Sequence, residues 1–454
     1  MQSSLQSVGA RRAPIGQVVR RVRYSGWGTM PGKLRVAQVV LVMGVALAGA
    51  VAVYAAIVEV NTTVDIAEHI EPLNHNVTTL YRSLADADAT VAAGYLSGGV
   101  EPTEMQIRYG RDVVAATTNL AQAGTQTGGE LVTGKRIADI TTELPIYTGL
   151  VERARVNNRQ GLVVGVAYLR RASDQMQDSI LPAAAELQRR QAARLDDAYH
   201  RVGSVLYIAF AACLVSLAGL IWAQVFLFQR THRVFNVGLV AASVAVLAGL
   251  VWWTVAGMVS ANSLARALGH SRSVSDALAP AQIAALQARA VESLELVTRT
   301  AGPNEPDFDA EMQLLDRDNG AGGALGAARQ FATDQQGEAL VQAALADARD
   351  YAAAHREVRR RQPDWFVRRL DDAGDYPKAV AAAVQTNQAG AAAAFDRLDV
   401  ALTAAVGHER EVFTSEIGRA HRSLTGLSIG TGVFTFVAVV GVALGVRQRL
   451  EEYR

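Results

Sequence analysis

The chain has 454 residues, half of them hydrophobic, with 44 basic and 43 acidic side chains and a single cysteine. One cysteine excludes a disulfide framework, and the near-neutral balance does not suggest a nucleic-acid binder. Four long apolar runs, Val39–Val58, Val205–Phe228, Val237–Val259 and Leu424–Val446, hold no charged residue and exclude a purely soluble chain.

Residues 1–35 carry Arg11, Arg12, Arg20, Arg21, Arg23, Lys33 and Arg35 and no acid. Positive residues beside a membrane crossing mark the cytoplasmic side. Arg230 and Arg233 in the turn between the second and third runs, and Arg447 and Arg449 after the fourth, agree. The expected topology places both termini and the turn inside. It leaves 32 basic and 41 acidic residues outside, against 12 and 2 inside. The first run, some 35 residues from the start, reads as an uncleaved anchor rather than a signal peptide. The basic tail suits anionic lipid, with Arg20, Arg21, Arg23, Arg230 and Arg233 as candidate cytoplasmic docking residues.

The fold class is all-α: a polytopic membrane protein with four transmembrane helices and two extracytoplasmic helical-bundle domains. The expected order is a cytoplasmic tail (1–35), a transmembrane helix (36–59), a four-helix bundle (60–204) and a second transmembrane helix (205–228). A cytoplasmic turn (229–235), a third transmembrane helix (236–259), a second helical domain (260–423), a fourth transmembrane helix (424–446) and a tail (447–454) complete it. The lone cysteine, Cys213, lies inside the second run, so packing or partner subunits must hold the outer domains.

In the first outer piece, apolar residues from Ile66 to Val91 recur at helical spacing, with a kink expected at Pro72. A second helix is expected over Thr103–Ala123 and a third over Glu130–Met176, with a break at Pro145. A fourth begins after Leu181-Pro182, proline being suited to a first helical turn. The unusual stretch is Leu144–Gly161, where Asn157, Asn158 and Gly161 share the inner face's period and Arg155 and Arg159 stand four apart. Two readings are open. Tyr147, Glu152, Arg155, Asn158 and Arg159 form a ligand or partner site with arginine forks for carboxylates, or a salt-bridged polar layer of a long bundle.

The second outer piece repeats the plan. Helices are expected at 262–277, Ala281–Thr298, 307–316, 335–361 and 376–421, with Ala279-Pro280 as a boundary and Asp316–Gly326 as a loop. Between the last two helices, Trp365 and Arg368 lie in a basic-aromatic stretch that is either a partner contact or a solvated connector.

The sequence shows no catalytic constellation, and no metal or cofactor is expected. The Glu71/His75 pair reads as a solvated helix face, and Asp316, Asp318 and Gly320 lack the closing glutamate of a calcium loop. Gly44 with Ala48, Gly238 with Ala242, and Gly441 with Gly445 offer small-residue surfaces for close packing of membrane helices.

The stretch Leu144–Arg170, above all Tyr147-Thr148-Gly149-Leu150-Val151-Glu152 and Asn157-Asn158-Arg159-Gln160-Gly161, carries a resemblance, as does the turn Arg230–Asn236. On these residues the chain resembles the four-pass membrane component of high-GC Gram-positive bacteria that stands beside an amino-acid-binding lipoprotein and a soluble serine/threonine kinase. The resemblance implies a non-enzymatic relay, with the lipoprotein sensing aspartate or glutamate and the cytosolic kinase as output. An envelope scaffold, or an accessory subunit of a transport or secretion complex, is the alternative. Homo-oligomerisation stays open in both.

Overall fold

The computed structural model describes residues 30–98, 100–126, 130–201, 204–231, 237–298, 305–361, 375–384 and 390–451. Among them every regular element is helical, and a single β-bridge, Arg317 to Gly322, closes a turn. The chain divides into two compact units: residues 1–60, 203–259 and 423–454, and residues 61–202 with 260–422.

The first unit contains the four apolar spans. The helices involved are α1 (Met30–Asp65), α7 (Ser204–Thr231), α8 (Val237–Ser273) and α15 (Leu427–Glu451). Each is long and apolar enough to cross a membrane, and the chain is a multi-pass membrane protein. Val40, Met43, Leu47, Trp222, Val244 and Phe436 are exposed on their outer faces, as lipid-facing side chains must be.

Small residues bring α8 and α15 together. A side chain on Gly238 would collide with the backbone of Gly441 and Gly445, and one on Gly441 would meet Gly238 and Ala242. Two of the three expected small-residue surfaces therefore pack on each other. The third does not, because nothing lies near Gly44. Polar side chains add ties: Gln224 Nε2 donates to Leu239 O (2.9 Å) and Ser243 Oγ (2.8 Å), and Trp253 Nε1 donates to Thr431 Oγ1 (3.2 Å).

In the second unit the first segment folds as α2 (Glu71–Leu96), α3 (Thr103–Gln126), α4 (Leu131–Arg159), α5 (Val164–Gln175) and α6 (Leu181–Arg201). The second supplies α9 (Ala279–Thr298), α10 (Glu305–Leu315), α11 (Gly323–Phe331), α12 (Gln335–Arg361), α13 (Asp375–Val384) and α14 (Ala391–Leu424).

Three π turns join helices that would otherwise stop at proline. They are Ile66–Ile70 between α1 and α2, Met176–Ile180 between α5 and α6, and Val274–Leu278 between α8 and α9. Each is followed by one residue and then Pro72, Pro182 or Pro280. In an α-helix the proline ring clashes with the carbonyl four residues back. The wider turn, in which Glu71, Leu181 and Ala279 each donate to the carbonyl five back, carries the chain past that clash.

Two expected boundaries therefore move. Pro182 and Pro280 start no new helix, and α4 runs through Pro145 unbroken. The reversal comes instead at Gln160–Val163, where Gly161 takes φ +69°, a conformation that favours glycine. In the first segment α5 and α6 are joined through the second π turn. In the second segment α11 occupies residues expected to be irregular, and the expected helix 376–421 is described as α13 and α14.

The expected two separate bundles are replaced by a single unit with one hydrophobic core drawn from both segments. The reason lies in α2 and α9. From Ser83 to Gly94 every residue of α2 is buried, and α9 is buried nearly all round from Ala279 to Leu286. A helix without a solvent face must be enclosed on every side. Accordingly, α2 packs on α3, α6 and also α9.

Candidate functional site

Asp88 stands at the centre of the first segment's polar interior. Its neighbours in the run Ala85–Ala93 are mostly alanine, which lets surrounding helices approach closely. Ser173 Oγ donates to Asp88 Oδ2 at 2.9 Å, and the fully buried Tyr147 places its hydroxyl 3.4 Å from Oδ1. Gln177, held in the second π turn, donates to Ser173 Oγ at 3.2 Å. Burial pushes the Asp88 carboxyl up to about 6, against the hydrogen bonds of Ser173, Gln177 and Tyr147. A buried carboxylate with this few donors is an expensive ion.

Arg155, on the same helix as Tyr147, belongs to a second cluster. Its Nε lies 2.8 Å from Glu101 Oε2, Nη1 lies 2.8 Å from Glu152 Oε1, and the guanidinium sits 4.3 Å over the Tyr109 ring. Burial works against the Arg155 charge, but Glu101 and then Glu152 hold its pKa above the ordinary arginine value. Asn158 Nδ2 donates to Gly98 O at 3.4 Å, and Arg159 is exposed. The structure thus brings Arg155 and Glu152 together, sets Tyr147 on Asp88, and places Asn158 and Arg159 at the end of α4. Arg230 lies in the last turn of α7, while Arg20, Arg21, Arg23, Arg233, Trp365 and Arg368 lie outside the described residues.

The second segment has its own buried carboxylate. Glu292 accepts from Tyr351 Oη (3.2 Å), meets His355 Nδ1 at 2.8 Å and pairs with Arg289. Phe308 stacks on His355 with ring centres 3.5 Å apart. Burial works to raise the Glu292 pKa, but Arg289, followed by His355, holds it below the usual carboxylate value.

Salt bridges join the two segments. Arg108 lies 2.8 Å from Asp86 and 3.1 Å from Asp399, and Arg82 lies 2.9 Å from Asp399. Neither Asp86, Asp88, Arg108, Glu292 nor Asp399 was singled out by sequence. The available signal was two acids in an otherwise small and apolar run, Ala85-Asp86-Ala87-Asp88-Ala89.

Two cavities border the third π turn. The larger, about 590 Å³, includes Gln188, Arg189, Arg272, Ser275, Asp276 and Glu311, and burial pushes Glu311 up to about 7 with help from Asp307. The smaller, about 170 Å³, includes Glu71, Asn74, His75 and Arg82 from α2 and Glu409 and Arg410 from α14. The Glu71/His75 pair, expected on a solvated face, is therefore a cavity wall covered by the second segment. Among the described residues, no group of three or more His, Cys, Asp or Glu side chains is placed to hold a metal. Asp316 Oδ1, in the loop with calcium-like spacing, accepts the Gly320 amide at 2.6 Å.

Residues 62–200 match the family described as an actinobacterial sensor domain. The match covers the first helical segment of the second unit, including Asp88, Tyr147 and Arg155. No curated protein and no solved structure matches the chain.

Proposed function

We propose that this chain is a non-enzymatic transmembrane relay. It couples extracytoplasmic sensing of aspartate or glutamate, through a solute-binding lipoprotein, to a cytosolic serine/threonine protein kinase. The helical segments 61–202 and 260–422 face outward, and both termini and the 229–235 turn face the cytoplasm, where Arg20, Arg21, Arg23, Arg230 and Arg233 meet the kinase and anionic lipid. The supporting observation is that α1 leads into α2, and α8 into α9, through a π turn alone, each pair beginning in an apolar span and ending in a helix buried in the second unit's core. Such a pair carries a small rotation or shift along its axis, and π turns often occur at functional sites. Glu152, Arg155, Asn158 and Arg159, with Trp365 and Arg368, are the outward contact residues in this reading, while Tyr147 is buried against Asp88 and makes no outward contact.

Crosslinking in intact membranes, with and without aspartate or glutamate, tests it. A solute-binding lipoprotein and a kinase should both attach, in yields that change with solute. Loss of residues 1–35, together with Arg230→Ala and Arg233→Ala, should release the kinase alone. Attachment of outer-face proteins only, unaffected by solute, would replace the relay with an envelope scaffold.

A further inference from the structure

The smaller cavity has the chemistry of a binding site. Its walls come from both segments, with Glu71, Asn74 and His75 on α2, His270 before the third π turn and Val274 at its start, and Arg410 on α14. At about 170 Å³ it has far more room than the roughly 10–15 Å³ that one water requires. It falls short of the roughly 300 Å³ at which pockets for drug-sized ligands begin. It suits a guest of few heavy atoms.

The polar groups define that guest further. Arg82 is committed to Asp399 at 2.9 Å, and Glu409 to His270 Nδ1 at 2.5 Å. Arg410 Nη1 donates to His75 Nε2 at 3.1 Å, while its Nη2 stands 3.8 Å from Glu71 Oε1, beyond hydrogen-bond reach. His75 is held neutral, pushed down to about 4 by burial and then by Arg410. Burial raises the Glu71 carboxyl, and Arg410 offsets this only in part. Asn74 is 6% exposed, and its Oδ1 is buried without a hydrogen-bond partner. The remaining groups are thus the Arg410 guanidinium and the Glu71 carboxyl, paired at 3.8 Å but too far apart to hydrogen-bond, with an idle acceptor, Asn74 Oδ1, and an idle donor, Arg82 Nε. A guest with an anionic and a cationic end would serve both sides, and a simple anion or cation only one.

We infer that this cavity binds a small zwitterion, its carboxylate on Arg410 and its ammonium on Glu71 and Asn74 Oδ1. The Arg410 side chain is about a third exposed, which gives the guest a route in. Because the walls come from both segments, the bound solute draws α2 and α14 together beside a π turn. This binding belongs to the chain itself and does not depend on a lipoprotein or kinase.

The test is calorimetric titration of the purified full-length protein in lipid nanodiscs, with no partner present. The probes are glycine, L-alanine, L-aspartate and L-glutamate, with acetate and ethylamine as single-charge controls. At least one zwitterion should bind, at least about tenfold more tightly than either control. Asn74→Leu and Arg410→Gln should each weaken it about tenfold, with folding checked by circular dichroism, and Val163→Ala on the exposed turn should not. No binding by any of the four zwitterions, equal binding of acetate, or unchanged affinity in a folded Asn74→Leu protein each overturns the inference.

Discussion

The Tyr147 hydroxyl lies 3.4 Å from Asp88 Oδ1 across 59 positions of sequence, both side chains buried. Tyr351 reaches Glu292 across the same 59 positions, so each acid–tyrosine pair recurs 204 residues later. The π turns at Ile66–Ile70 and Val274–Leu278 recur after 208, a difference of about one helical turn. Each half thus runs from apolar span to π turn, to proline, to a buried carboxylate that meets a tyrosine. That shared order makes a duplicated unit the economical account of the chain, and α2 and α9 are the corresponding central helices.

Asp88 should make stability depend on pH. Its folded pKa, about 6, lies above the ordinary 3.8, so the folded state binds the proton more tightly. The stabilising contribution is fully present below the unfolded value and lost as pH rises through about 6. By neutral pH the cost reaches about 3 kcal/mol. Asp88→Asn removes the titration, so thermal unfolding should show the variant gaining on wild type between pH 5 and pH 8. A constant difference across that range would contradict the assignment.

The salt-bridged junction gives a second expectation. Arg108→Ala leaves buried Asp86 with no guanidinium and deprives Asp399 of one of its two. Breaking a fully buried pair costs about 3–5 kcal/mol. Arg108 is about a third exposed, so solvent screening reduces the expected loss to about 2 kcal/mol. Limited proteolysis should show cleavage in both helical segments together, since they share one core. Cleavage confined to the first would show that they unfold separately.

Much of this architecture was legible in the sequence. Four uncharged apolar runs can hardly be anything but spans, and the small residues of α8 and α15 identified the faces that meet. Pro182 and Pro280 misled because proline suits a first helical turn and so marks a boundary, and nothing local reveals that a π turn will absorb it. The single unit was missed for a related reason. Segments such as Ser83–Gly94 are buried all round, so they have no apolar stripe by which to assign a partner. Tyr147 and Arg155 stood out by their unusual surroundings, whereas Asp88 and Glu292 are ordinary acids until the helices that bury them are in place.

The membrane unit supplies a paired test. Gly238→Leu forces a side chain into the backbone of Gly441 and Gly445, and Gly44→Leu enters open space. Overpacking at a close helix crossing costs about 1–3 kcal/mol or more. Unfolding in mixed micelles should therefore occur at lower SDS for Gly238→Leu and be nearly unchanged for Gly44→Leu. Equal effects would mean that α8 and α15 do not cross at these glycines.

The π turns lead to the sharpest expectation. A π turn holds one more residue than the α-helical turn it replaces, so deleting one residue restores α-helical hydrogen bonding while the flanks keep their register. His69, mostly exposed within Ile66–Ile70, is the residue to delete. With Pro72 retained, the shortened helix meets the ring–carbonyl clash that the wide turn avoids, at a cost of about 3 kcal/mol. Deleting His69 together with Pro72→Ala removes both the extra residue and its cause, and stability should return to within about 1 kcal/mol of wild type. If the π turn is also the moving part of the relay, this double variant should fold and bind solute yet leave kinase attachment unchanged when solute is added. A deletion whose cost is the same with proline or alanine at position 72 would show that proline is not what the wide turn accommodates.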